Sequence, residues 1–499
     1  MPHAAAPTAG ADARMGAGSP QPGARASRRR PRRVSRRTLI GAPAATLCLV
    51  AGVVLDLPGL EPLGVRMLGI FLAAIILWAT EAIPLVATSM GIILAEVLLI
   101  SSDGLFPLDF GGDPPLAAAA AQAPASDYFA ALANPVVILF IGGFMLAGGA
   151  TKFDVGRVLS QAMLRPLGGR PRVTLLGVMA VTALLGMFMS NTATTATMFA
   201  IMLPALATLS DARSRTAVAL AIPVAASVGG MMTPVGTPPN AIALGILADQ
   251  GIRITFLGWV LMTLPLAVVL ILAAWGFLTW RYLDAATPMA LDTDARLDTS
   301  PRAVAFYAIA ALTILGWLTE PLHGLSSATV ALVAVVALLA LGVMDGEDVK
   351  RLDWPVLWLV AGGIALGRGV ADTGLGAWLI AAVPWGGIAP ALVLLVVALL
   401  AWGISNFVSS TAAANLLVPM SVGIAAAVAN PTAEVAVVMA LACSLGMCLP
   451  VSTPPNAIAH ATGMVPTRDM AAIGLLVGGG GVLLVSLVAP SLWSLLGLL

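Results

Sequence analysis

Four short polar clusters interrupt an otherwise apolar sequence, and they carry most of the chemistry open to this chain. The first is Ser190-Asn191-Thr192-Ala193-Thr194-Thr195, and the second is Thr233-Pro234-Val235-Gly236-Thr237-Pro238-Pro239-Asn240. The other two, Ser409-Ser410-Thr411 and Pro450-Val451-Ser452-Thr453-Pro454-Pro455-Asn456, follow in the same order. Pro238-Pro239 and Pro454-Pro455 remove amide donors and clash with the preceding turn, so a helix must break at each pair. A break exposes carbonyls at the end of one half-helix and amides at the start of the next. Helix N-termini carry about half a positive charge and attract carboxylates or other oxyanions, while C-terminal carbonyls attract cations. Ser, Thr and Asn side chains complete such sites with neutral donors and acceptors.

The chemistry so described is binding of an anion with a cation beside it. No lysine or arginine lies in any of the four clusters. Bare charge at a bilayer centre costs at least about 2.5–3.5 kcal/mol per group, so a dianion there needs compensation. Co-bound sodium supplies it where fixed cationic side chains do not. A lone Ser/Thr/Asn cluster in a membrane helix is often interhelical glue, and a lone proline only a kink. Four clusters in matching order favour the binding site.

The elements that must position these residues are membrane helices. Hydrophobic residues make up 59% of the 499 and charged residues 10%, against roughly 25% charged in a soluble protein. Mean hydropathy is +0.98. Apolar stretches long enough to cross a bilayer begin near Thr38, Leu63, Pro84, Pro135, Ala217, Phe256, Ala303, Ala328, Pro355, Val435 and Met470. Two more, near 173–208 and 389–427, hold polar clusters in their middles and read as re-entrant hairpins. The expected fold is therefore all-α and polytopic, with about 11 transmembrane helices plus two hairpins. The first 37 residues carry nine arginines and one acid, Asp12, and are expected to be a disordered cytoplasmic tail. With the N-terminus inside, segments 156–173, 211–216, 281–302 and 345–353 place their Arg and Lys residues in the cytoplasm, and the acidic segment 102–132 faces out.

An internal repeat organises these spans. The run from Pro135 to Gly142-Gly143 parallels that from Pro355 to Gly362-Gly363, and Gly149 and Gly156 match Gly369 and Gly376. Trp78 and Glu81 pair likewise with Trp317 and Glu320. An even number of spans separates the two proline-led helices, so the halves are inverted, the signature of alternating-access carriers. The expected organisation is a tail at 1–37, a first transmembrane helix at 38–60, a first inverted repeat at 61–282, a cytoplasmic linker at 283–302 and a second inverted repeat at 303–499.

Other chemistries find little support. The sequence holds no HExxH motif, no Ser/His/Asp constellation, no metal-ligand spacing and no phosphate-binding GKS/GKT loop. Cys48, Cys443 and Cys448 lie in apolar runs without partner spacing. The expectation is a carrier rather than an enzyme, with no cofactor, no resident metal beyond sodium and no nucleic-acid partner. Uphill transport then draws on an ion gradient or on exchange.

At these residues the sequence resembles the divalent anion/sodium symporter family. The likeness extends from about Leu60 onward and is most specific at Ser190-Asn191-Thr192, the two Thr-Pro-Pro-Asn loops and the Trp78–Pro84 stretch. The resemblance implies a homodimer in the bacterial inner (plasma) membrane, with a fixed scaffold and a transport domain that moves like an elevator. It implies sodium-coupled symport of small dianions such as C4-dicarboxylates. It places Ser190, Asn191 and the Gly236 carbonyl at one sodium site, and Ser405, the Val408 carbonyl, Ser410 and the Ser452 carbonyl at another. Substrate carboxylates would meet Asn191, Thr192, Thr237, Ser410, Thr411 and Thr453. One residue departs from the family pattern, which repeats Ser-Asn-Thr in the second hairpin, where this chain has Ser410. Sodium-independent anion exchange, or carriage of citrate or sulfate, is the alternative reading.

Overall fold

A computed structural model describes residues 36–105, 123–167, 170–209, 211–283, 296–381, 388–428 and 430–498. Most of the expected tail (1–35), much of the acidic segment (106–122) and most of the linker (284–295) lie outside the described residues. Among the described residues every regular element is a helix, and eight helical stretches are long and apolar enough to cross a membrane. The protein is an all-α polytopic membrane protein.

The first half comprises α1 (Arg36–Val54), α2 (Pro62–Thr80), α3 (Leu85–Leu99), the short α4 (Ala125–Phe129), α5 (Pro135–Lys152), α6 (Val155–Leu164), α7 (Pro171–Gly186), α8 (Asn191–Thr208), α9 (Ala212–Gly230), α10 (Pro238–Asp249) and α11 (Phe256–Arg281). The second half comprises α12 (Pro301–Leu318), α13 (Ser327–Ala340), the short α14 (Gly346–Lys350), α15 (Trp354–Asp372), α16 (Leu375–Ala381), α17 (Pro390–Phe407), α18 (Ser410–Leu417), α19 (Ser421–Val428), α20 (Thr432–Ser444) and α21 (Pro454–Ala461). A last helical stretch, Thr467–Leu495, includes π-helical turns at Leu475–Gly479 and Leu484–Val488. Local signals set the starts. Asn134 caps α5 through Val136 N at 2.9 Å, and Asp211 caps α9 through Arg213 N and Ser214 N. Pro135, Pro171, Pro238 and Pro301 occupy first-turn positions, where a missing amide costs no hydrogen bond.

The halves are laced together by reciprocal contacts. Helix α5 packs on α13, and α15 packs on α3. The repeated glycines make both approaches possible. A Cβ on Gly142 would lie 2.5 Å from Ala331 Cβ and 3.0 Å from its Cα, and one on Gly362 would lie 2.5 Å from Ser89 Cβ. One turn pair further on, Gly149 faces Phe306 of α12, and Gly369 faces Met67 of α2. Ion pairs repeat the exchange. Lys152 at the end of α5 reaches Asp348 of α14 at 2.6 Å, and Arg368 near the end of α15 reaches Asp127 of α4 at 2.7 Å.

A side chain at 142 has no room, because the obstacle is the Ala331 backbone rather than a flexible tip. Gly142→Val should therefore cost about 1–3 kcal/mol or more, read as a fall of several degrees in the thermal unfolding midpoint of the purified protein. Gly148→Ala, whose new methyl would meet only Met344 Cε at 3.5 Å, should unfold close to wild type. Equal stability of the two variants would show that the α5–α13 contact is not tight.

Candidate functional site

The clusters sit where helices begin and end. Ser190 and Ser409 are the N-caps of α8 and α18, each accepting an amide three residues on: Ala193 N at 3.2 Å and Ala412 N at 3.3 Å. The tip residues that follow are thus Asn191-Thr192 in one half and Ser410-Thr411 in the other, in the first turn of their helices. The prolines do not interrupt a helix from within. Pro238-Pro239 and Pro454-Pro455 open α10 and α21, with Thr237 and Thr453 as extended N-caps. The chain is non-helical between Gly230 and Thr237, and again between Ser444 and Thr453.

The asparagine ending each Thr-Pro-Pro-Asn motif folds back over the break. Asn240 Nδ2 donates to the carbonyls of Thr233 (2.8 Å), Gly230 (3.2 Å) and Met231 (3.3 Å). Asn456 Nδ2 donates to Met447 O at 2.8 Å and Leu449 O at 3.0 Å. Helix α11 adds Trp259 Nε1 to Met231 O and Thr263 Oγ1 to Met232 O, each at 3.1 Å. Thr233 Oγ1 donates to Met187 O, which ties the first break to the first hairpin tip.

In the first half, Asn191 lies directly over Gly230, whose Cβ, if present, would strike the carboxamide. Gly236 packs on the Gly230 carbonyl on the other side. Asn191 Oδ1 is buried and has no hydrogen-bond partner among the described residues, and neither have Thr194 Oγ1 and Thr195 Oγ1 behind it. Thr192 is exposed and Thr237 is buried. Ser190 and Ala193 line a cavity of roughly 590 Å³, together with Lys152, Asp348 and Arg351 from α5, α14 and the turn after it.

The second half is built differently. Ser405 Oγ is fully buried, lies over Gly446 and donates to Cys443 O at 2.5 Å. Ser452 Oγ donates to Asn406 O at 3.1 Å and accepts from Leu449 N at 3.0 Å. Asn406 is clamped on both sides, its Oδ1 taking Cys448 N and its Nδ2 reaching Trp402 O, each at 2.8 Å. Val408 leaves α17 in an extended conformation just before Ser409. Ser410 and Thr411 are half-buried, and Thr453 Oγ1 accepts from Asn456 N at 3.4 Å.

The two halves meet crosswise. Helix α8, which starts at Asn191, packs on α21, and α18, which starts at Ser410, packs on α10. Each hairpin arm thereby lies on the half-helix that leaves the other half's break. Asn240, Asn456 and Asn406 were not among the expected site residues, although the same asparagine ends both Pro-Pro loops. Neutral oxygens and helix ends at two buried breaks suit an anion and small cations.

Fold and site together define a polytopic membrane transporter. The chain belongs to the citrate transporter family, whose model matches residues 75–442. It is 28% identical over 454 residues to the sodium-dependent dicarboxylate transporter SdcS of Staphylococcus aureus (strain USA300), covering 83% of each chain. The resemblance drawn from the Ser-Asn-Thr tip and Thr-Pro-Pro-Asn loops therefore stands. The fold is similar to that in the crystal structure of the Alcanivorax borkumensis YdaH transporter, with a TM-score of 0.53 at 14% identity over 74% of this chain and 86% of that one.

Removing one donor from the first break isolates its role. Asn240→Ala leaves the Gly230 and Thr233 carbonyls without this partner, and each orphaned buried acceptor costs about 1–3 kcal/mol. The variant should lose thermal stability by that order and transport less than a tenth as fast at matched protein content. Wild-type unfolding and uptake would mean that water or backbone can replace the carboxamide.

Proposed function

We propose that the protein is a sodium-coupled secondary transporter of small dianions, C4-dicarboxylates foremost. The observation that carries the reading is Asn191 Oδ1: a buried acceptor without a partner, over the C-terminal end of α9 and in the first turn of α8. The carbonyl end of α9 favours a cation, and the N-terminus of α8 favours a carboxylate. One carboxamide can serve both, its oxygen toward sodium and its amide toward the anion. The name of the SdcS relative, a sodium-dependent dicarboxylate transporter, supports the same pair of ligands.

In this reading Ser190, Asn191 and the Gly236 carbonyl hold one sodium ion. Ser405, the Val408 carbonyl, Ser410 and the Ser452 carbonyl hold a second. Asn191, Thr192, Thr237, Ser410, Thr411 and Thr453 face the substrate carboxylates. The residues 61–282 and 303–499 act as inverted repeats, and the reciprocal α5–α13 and α15–α3 contacts support that relation. The hairpins 173–208 and 389–427, with the broken helices, form a transport domain that moves as an elevator against a scaffold shared with a second copy. The N-terminus faces the cytoplasm of a bacterial cell.

The test is uptake of radiolabelled succinate, citrate and sulfate into proteoliposomes, with and without an inward sodium gradient. Succinate uptake should rise several-fold with sodium, and Asn191→Ala should abolish it while remaining folded and membrane-inserted. Uptake driven equally well by internal anion without sodium would replace symport by exchange. Near-normal uptake by Asn191→Ala would move the binding site elsewhere.

A further inference from the structure

Glu96 is the most anomalous side chain outside the candidate site. It sits on α3, is wholly buried, and neither carboxyl oxygen has a hydrogen-bond partner among the described residues. Its Oε1 comes within 2.6 Å of where a Cβ on Gly369 would stand, so the carboxyl presses against the backbone of α15. Apolar Met67 of α2 shares its place against Gly369, and the charged and titratable groups nearby come from several helices. From α15 come Arg368 and Asp372, joined at 3.5 Å, and from α4 come Asp127, held by Arg368 at 2.7 Å, and Tyr128, whose buried hydroxyl also lacks a partner. From α2, Arg66 is buried and turns Nη1 to Leu99 O at 3.3 Å. Asp249, at the end of α10, shares with Arg368 and Asp372 a cavity of roughly 110 Å³.

An ionised carboxylate without a donor is among the costliest groups to bury, and a neutral carboxyl is far less so. A proton on Glu96 would remove that cost. We propose that Glu96 is a proton-binding site whose occupancy holds α10 against α15 through the Arg368 cluster. With Glu96 neutral, Arg368 faces Asp127, Asp372 and Asp249 with no further negative charge behind them. Ionisation adds a further negative charge behind Asp372 and disfavours the approach of Asp249. The half-helix α10 spans the distance between this cavity and Thr237 at the break, so a proton bound at one end biases the position of the other. This goes beyond the sodium–dicarboxylate reading, because the ligand is a proton and its binding is measurable without either.

The test pairs a spectroscopic readout with a pH profile, using Glu96→Gln as a permanently neutral isostere. Infrared difference spectra of the purified protein should gain a protonated-carboxyl C=O band on acidification, and that band should be missing in the variant. Initial uptake by wild-type proteoliposomes should vary with pH, while Glu96→Gln stays flat at the wild-type acidic value. Asp372→Asn removes the like charge beside Glu96 and should move the wild-type midpoint toward acid. Identical bands and profiles in wild type and Glu96→Gln would overturn the proposal. Should that variant fail to fold, an unmoved midpoint in Asp372→Asn would overturn it equally.

Discussion

Backbone exposed by a broken helix in a bilayer must find its partners within the protein, since lipid offers none. Most of the architecture around the candidate site answers that constraint. The four residues Thr-Pro-Pro-Asn build both sides of each break. The threonine provides an extended cap, and the two prolines occupy first-turn positions where no amide is missed. The asparagine returns its Nδ2 to the carbonyls stranded on the preceding half-helix. What remains unpaired after these bonds is informative because so much has been satisfied. Asn191 Oδ1 and Asn240 Oδ1 are both left without a donor among the described residues, in a region where Trp259, Thr263 and the Asn240 amide have taken the neighbouring carbonyls.

The crosswise packing follows from small residues at fixed places. Gly142 and Gly362 let α5 and α15 approach α13 and α3 almost backbone to backbone, and van der Waals contact of this kind drives association where lipid removes the hydrophobic incentive. The pairs Lys152–Asp348 and Arg368–Asp127 then fix the register from opposite halves. A frame held this way leaves α8, α9 and α10 to meet α18, α20 and α21, so both breaks depend on contacts far along the chain.

Much of this was legible in the sequence. Apolar length located the helices, because a bilayer demands about twenty apolar residues per crossing, and Pro-Pro pairs located the breaks to within a few residues. The matched glycine and proline spacing was visible, but the partners of Gly142 and Gly362 were not, because they lie in the other half and have no marker of their own. Side-chain direction was equally hidden. Nothing in Thr-Pro-Pro-Asn says that the asparagine turns back to the carbonyls rather than toward a ligand. Glu96 stands in the sequence only as one acid within an apolar run; its burial and its isolation from donors are products of the α3–α15 contact.

The two halves are not equivalent sites, and the difference can be traced residue by residue. Aligned on the caps Ser190 and Ser409, Asn191 corresponds to Ser410, and Gly186 corresponds to Ser405. The glycine at the end of the first half-helix, Gly230, or two residues beyond it, Gly446, is covered in both halves, by Asn191 from the descending arm in one and by Ser405 from the ascending arm in the other. Replacing the tip asparagine by Ser410 therefore does not uncover the second break. It changes what is left over. Asn191 presents a carbonyl oxygen with no donor on it, whereas the Ser405 hydroxyl already directs its proton to Cys443 O and offers only its lone pairs. Of the two carboxamides flanking the second tip, Asn406 is committed to Cys448 N and Trp402 O, whereas Asn415 keeps an unpartnered Oδ1 turned toward Gly363 of α15 and away from the break. A cation in the second half would rest on the Ser405 and Ser410 hydroxyls and on backbone carbonyls, without the side-chain amide oxygen that Asn191 adds in the first, so the two halves should differ in cation affinity.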